Sequence, residues 1–147
     1  MIDTLDGFIR LKKVSQNDYN FLFELLRKRD SKANISHRKM PTYQQHIRFV
    51  KSKPYSKWYI IWSLDSRIGS SYLTKQDEIT VHLTKDFDKD TIREFVIKSI
   101  MKNNPRERYF VNVNPHNKKM IRFLKTLGCT LLQQNYEVTP KRLRMRV

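Results

Sequence analysis

Four histidines, a group of aromatic side chains and two adjacent carboxylates are the residues of this chain whose types could do chemistry. An imidazole changes charge near neutral pH, so His37 or His46 could orient or deprotonate an amine. His82 and His116 have no Cys, Asp or Glu at ligand spacing, and no metal site is expected. Asp77 and Glu78 sit in a turn, where a carboxylate is either a base or a solvated surface charge. Tyr55, Trp58 and Trp62 could stack on nucleic-acid bases, although the strand tryptophans fit a core better. Nothing in the chain has the form of a phosphate-binding Walker loop, a serine nucleophile elbow or a zinc finger. The lone cysteine, Cys129, excludes an internal disulfide and reads as a small buried residue at a strand start.

The elements that must position these residues follow from apolar spacing. Phe8, Ile9 and Leu11 suggest a first strand. Ser15 to Asp18 then offer helix-starting residues, and Tyr19, Leu22, Phe23 and Leu26 form a helical stripe through about Arg29. After a polar stretch, Thr42 and Gln45 have capping-box spacing ahead of Tyr43, Ile47 and Val50. Trp58 to Trp62, Ile68 to Leu73 and Ile79 to Leu83 read as a three-stranded meander, rich in β-branched and aromatic residues. Ile92, Phe95, Val96 and Ile100 make a third helix. Tyr109 to Val113 alternate as a strand, Asn114-Pro115 is expected to cap and open a fourth helix, and Gly128 to end it. A last strand is expected between Cys129 and Val138.

The 147 residues suffice for one core, and residues 1–140 read as a single domain followed by a basic tail at 141–147. Hydrophobic residues make up 39% of the chain and aromatics 12%, enough for an interior despite 30% charged residues. Thirty Lys and Arg against 14 Asp and Glu leave a net charge of +16, which attracts polyanions whatever the fold. No run is long enough to span a membrane, and acidic Asp3 and Asp6 stand where a signal peptide would be basic. The expected setting is soluble, intracellular and cytoplasmic.

The run Val113-Asn114-Pro115-His116-Asn117, a helix carrying Phe123, and then Gly128-Cys129 resembles the last strand-helix-strand unit of the GNAT superfamily, the acetyl-CoA-dependent N-acetyltransferases. The order strand, two helices, three-stranded meander, helix, strand, helix, strand resembles that family along essentially the whole chain. The resemblance implies an α/β (α+β) fold: a mainly antiparallel sheet of about six to seven strands flanked by four helices. It also implies transfer of an acetyl group from acetyl-CoA to a primary amine, with no metal. Glu78 occupies the place of the general base, and Asn117 that of an asparagine contacting the cofactor. Backbone groups at Val81, His82 and Leu83 would pair with the pantetheine arm. His37, His46, Tyr55 and Trp58 lie in the region covering the acceptor pocket.

The chain departs from the family pattern at two points. The pyrophosphate loop, glycine-rich in the family, reads Phe87-Asp88-Lys89-Asp90-Thr91-Ile92-Arg93, so Lys85, Lys89 and Arg93 would have to offset Asp88 and Asp90. Where the family often has a proton-donating tyrosine, this chain has Phe123, which leaves Tyr136, Tyr72 or water as the acid. Two readings result: an N-acetyltransferase, or a GNAT-fold basic module that binds nucleic acid or a nucleoprotein assembly.

Overall fold

The computed structural model describes residues 7–29 and 39–144 of the chain. Its centre is an antiparallel sheet whose strands lie side by side in chain order: β1 (Ile9–Lys13), β2 (Lys57–Ser63), β3 (Ser66–Leu73) and β4 (Ile79–Leu83). Four helices pack around it: α1 (Tyr19–Arg27), α2 (Tyr43–Lys51), α3 (Asp90–Asn103) and α4 (Lys118–Thr126).

The twofold period of β2 sorts its side chains into two cores. Ile60, Trp58 and Trp62 pack with Leu22 of α1 and Val50 of α2. Tyr59 and Ile61 face the other way, onto Ile92, Val96 and Ile100 of α3. The sheet is thus covered on both faces. Ile68 is an extra residue of β3 opposite the Ile61–Trp62 step, where the register shifts.

The capping box at α2 forms as its spacing predicts: Gln45 N–H donates to Thr42 Oγ1 at 3.1 Å and Thr42 N–H to Gln45 Oε1 at 2.9 Å. Before α1, Ser15 N–H and Oγ both donate to Asp18 Oδ2. The other oxygen of buried Asp18 accepts from Arg67 Nε at 2.9 Å, which ties the start of α1 to β3. α1 itself stops at Arg27, two residues before the predicted end.

The C-terminal half corrects the sequence reading. Among the described residues the sheet has four strands, not six or seven. Tyr109–Val113 forms no strand; its only pairing is a parallel bridge between Phe110 and Glu78. Its side chains are drawn elsewhere. The Tyr109 hydroxyl accepts from Arg106 N–H and donates to the Asn104 carbonyl at 2.6 Å, so this ring closes the end of α3. α4 begins at Lys118, with Asn117 rather than Asn114 as its cap; Asn117 Oδ1 accepts from Met120 N–H at 3.2 Å. Asn114 instead closes a local turn by accepting from His116 N–H at 2.8 Å. Gly128 (φ +86°) ends α4 as predicted. The chain then runs irregularly and exposed through Val138 instead of joining the sheet, so Cys129 is exposed, not buried. The expected basic tail begins with a turn at residues 141–144, and its last three residues lie outside the described ones.

Candidate active site

The meander brings three consecutive strands to one wall. Trp58 of β2 stands opposite Tyr72 of β3, and Ser70 of β3 opposite His82 of β4. All four project to the face covered by α1 and α2, where they line a cavity of about 230 Å³. α1 contributes Leu22, Leu25 and Leu26 to its wall, and Arg29 follows just past its end; α2 contributes Gln45, His46 and Phe49; Tyr55 closes it from the loop between α2 and β2. Of the residues singled out from sequence, His46, Tyr55, Trp58 and His82 therefore meet in one place. His37 lies outside the described residues.

Aromatic packing sets the shape of this cavity. Tyr55 and Tyr72 stack in parallel, with ring centroids 3.8 Å apart, and Trp58 meets Tyr55 edge-on at 4.7 Å. The Trp58 indole N–H donates to Ser70 Oγ at 2.8 Å, so the half-buried ring keeps its polar atom satisfied. Burial, and then the neighbouring Tyr72, push the Tyr55 hydroxyl far above its ordinary pKa, so it remains a phenol. His46 is buried, with its ring edge-on to Phe23 at 5.8 Å. Arg29 and Lys39 bring positive charge to the wall, and no carboxylate lines the cavity among the described residues. Burial lowers the pKa of Arg29, and its Nε has no hydrogen-bond partner.

The far edge of β4 is the second feature. Antiparallel ladders bond one neighbour at alternate residues and face the opposite way at the others. Thr74 N–H donates to Glu78 O at 2.9 Å and Thr84 N–H to Ile68 O at 2.8 Å, which assigns the even positions of β4 to β3. The peptide groups of Ile79, Val81 and Leu83 therefore face away from the sheet. Ile79 uses that edge: its N–H donates to Phe110 O at 2.8 Å, and Phe110 N–H returns to Asp77 O at 2.9 Å. Past this bridge the segments part. No backbone hydrogen bond among the described residues joins Val81 or Leu83 to residues 111–113. His82, between them, sends its side chain to the cavity, so the open edge and the cavity share one strand.

The remaining predicted residues lie apart from the cavity. Glu78 is held at the start of β4 by Thr74 Oγ1 (3.2 Å) and by Asn112 Nδ2. Tyr136 is 84% exposed in the irregular C-terminal segment, whereas Tyr72 lines the cavity together with Tyr55. Lys89 precedes α3 and is exposed. Arg93, with a side chain only 9% exposed, is occupied by Asp88 and by Asp90 (3.2 Å), and its guanidinium lies over the Phe123 ring of α4 at 5.6 Å. Lys119 reaches Asp88 Oδ2 at 3.5 Å. The two aspartates are thus counter-charges for a buried arginine, which explains their presence in this loop.

These contacts fix the acid response. Burial raises the pKa of Asp88, but the hydrogen bond and charge of Arg93, and then Lys119, outweigh it, so the carboxyl titrates below its ordinary range. A depressed folded pKa contributes stability that is present above the unfolded value and lost as pH falls through the folded one. Urea midpoints should accordingly drop as pH falls below about 4, and Asp88→Asn should flatten that part of the profile. An unchanged acid limb in the variant would show that the pair carries no such linkage.

No protein-family model and no curated protein sequence matches the chain. Solved structures do. The spermidine N-acetyltransferase from Vibrio cholerae in complex with CoA and spermine superposes with a TM-score of 0.70 at 10% identity, covering 83% of this chain and 80% of that one. The Campylobacter jejuni N-acetyltransferase PseH gives 0.66 at 14%, covering 88% and 92%. RimL, a ribosomal L7/L12 alpha-N-protein acetyltransferase in complex with coenzyme A, gives 0.64 at 11%, covering 82% and 78%. The chain has the fold of the GNAT superfamily. At these identities the likeness establishes architecture alone.

Sequence reasoning missed Arg29, Lys39 and Phe49 as cavity residues. Arg29 had a readable signal: it continues the α1 stripe three residues after Leu26 and seven after Leu22, a cation where an apolar residue is expected.

Proposed function

We infer that the protein is an N-acyltransferase that moves an acetyl group from acetyl-CoA to a primary amine. The observation that carries this reading is the position of β4, with the Val81 and Leu83 peptide groups facing an edge where no backbone hydrogen bond among the described residues takes them up, and the His82 side chain in an aromatic cavity. The edge suits the amides of a pantetheine arm, which would add to the sheet as a short strand does. The cavity suits the acceptor. In the reaction the amine nitrogen attacks the thioester carbonyl carbon, the C–N bond forms, the C–S bond breaks, and the thiolate takes up a proton. His82 is the base that removes the proton from the entering ammonium, and the Tyr72 hydroxyl, at the same cavity, is the acid that returns one. At the phosphate end, the amides of the first turn of α3, with Lys85 and Lys89, replace a glycine loop.

Calorimetry with acetyl-CoA tests the binding half of this reading, and heat with a one-to-one stoichiometry is the expected result. Val81→Pro sharpens it. Proline removes the N–H that faces the open edge and spares the β3 ladder, a placement that strands tolerate at edges. Each neutral hydrogen bond contributes about 0.5–1.5 kcal/mol, so affinity should fall up to about tenfold while the far-ultraviolet dichroism keeps its shape. Full affinity in a folded Val81→Pro chain would remove the edge from the reading.

A second reading keeps support from charge: α4 exposes Lys118, Arg122 and Lys125, and Arg142 and Arg144 are also exposed. As a nucleic-acid module, the protein would shift RNA or DNA in gels with a steep loss as salt rises. Negligible binding at low salt would eliminate it.

A further inference from the structure

The acceptor cavity has an electrostatic character that the transferase reading does not require. Arg29 stands in its wall with a buried Nε lacking any hydrogen-bond partner, Lys39 adds a second positive charge, and among the described residues no Asp or Glu faces them. A partly buried guanidinium gains from a counter-charge or acceptor that reaches it, and nothing described in the chain supplies one. A polyamine brings several positive charges and needs carboxylates to receive them, so this wall opposes it. The rest of the lining is largely apolar, with Leu22, Leu25 and Phe49 and the stacked Tyr55–Tyr72 pair. A volume of about 230 Å³ is below the size of drug-like sites, which suits a small molecule.

We propose that the acceptor is a small primary amine with an apolar body and one oxyanion, a carboxylate or phosphate-type group, that Arg29 receives. The oxyanion bonds the guanidinium, the apolar body lies against the leucines and aromatic rings, and the amine points to His82. Arg29 is thus a specificity-determining residue. The inference rests on the transferase reading for the role of the amine, but the oxyanion site is measurable without it.

The probes are phenylalanine, its aminophosphonate analogue, phenethylamine, which has the same body without the oxyanion, and spermidine. Calorimetry on the full chain without acetyl-CoA should show the two oxyanion amines binding at least about tenfold more tightly than phenethylamine, as a charge-assisted bond implies, with spermidine weaker still. The ratio of phenylalanine to phosphonate affinity separates a carboxylate from a phosphate-type preference. Arg29→Gln should bring the ratio over phenethylamine towards one, and Arg29→Lys should restore part of it. Melting curves check that each variant folds, and the ratio in the native chain stands even if one does not. Equal or tighter binding of phenethylamine or spermidine, discrimination that survives Arg29→Gln, or no binding by either oxyanion amine would overturn the proposal. Heat from the oxyanion amines with none from acetyl-CoA would retire the transferase reading and keep the anion site; the reverse pattern would retire the anion site alone.

Discussion

Gly69→Ala is expected to destabilise the protein by about 3 kcal/mol, the upper part of the range for overpacked sites. An alanine Cβ there would lie 2.3 Å from the His82 carbonyl oxygen and 3.1 Å from Leu83 Cα, well inside the contact distance of about 3.5 Å. The obstruction is the backbone of β4, which cannot rotate away as a side-chain end can. Either β3 and β4 separate at the Gly69–Leu83 pair, or the strain remains in place. The consequence reaches beyond stability, because the displaced strand is the one that carries both the open edge and His82. Urea unfolding measures the loss as a lower midpoint at unchanged slope. Ser71→Ala is the control: Ser71 is fully buried two residues along the same strand and its hydroxyl has no partner, so removing it should be neutral or stabilising. A Gly69→Ala midpoint equal to that of the control would show that the two strands yield at little cost.

The parts of this fold legible in the sequence are those that a segment decides by itself. The Leu22–Leu26 stripe, the Thr42–Gln45 box and the alternation through Trp58–Leu83 each carry a complete local signal, and each forms. The parts that fail depend on a partner. Tyr109–Val113 has strand composition, but a strand exists only if a neighbour accepts its ladder. Here the Tyr109 hydroxyl is drawn to Asn104 and the Asn112 amide to Glu78, and one bridge remains. The same cause exposes Cys129 and the run behind it. At the helix start, Asn114 and Asn117 offer the same cap chemistry three residues apart, and only the path of the chain past Phe110 selects the second. For the site, the family resemblance pointed to His46, Tyr55 and Trp58, which line one cavity, and to His82 only through its backbone, and no sequence pattern could show that Arg93 is occupied by two aspartates. Charge compensation is a three-dimensional fact.

His82→Gln is expected to lower kcat/KM by roughly 10²–10⁴, the usual contribution of a positioned general base, with acetyl-CoA affinity nearly unchanged. Glutamine keeps a polar side chain at the cavity wall and cannot accept the proton. Glu78→Gln provides the comparison, because Glu78 holds the position that the family resemblance implies for the base, yet its carboxylate is engaged by Thr74 and Asn112 and lies outside the cavity lining. Its loss should cost less than about tenfold, near the 1.4 kcal/mol of one hydrogen bond. The pH profile supplies a readout that a structural role would not move. With His82 as the proposed base, its neutral imidazole is the active form, so native kcat/KM should decline as pH falls through the imidazole range, and that step should vanish in His82→Gln while persisting in Glu78→Gln. The opposite order of losses, with the step surviving in His82→Gln, would return the base to Glu78 and require Asn112 to release it when the amine binds.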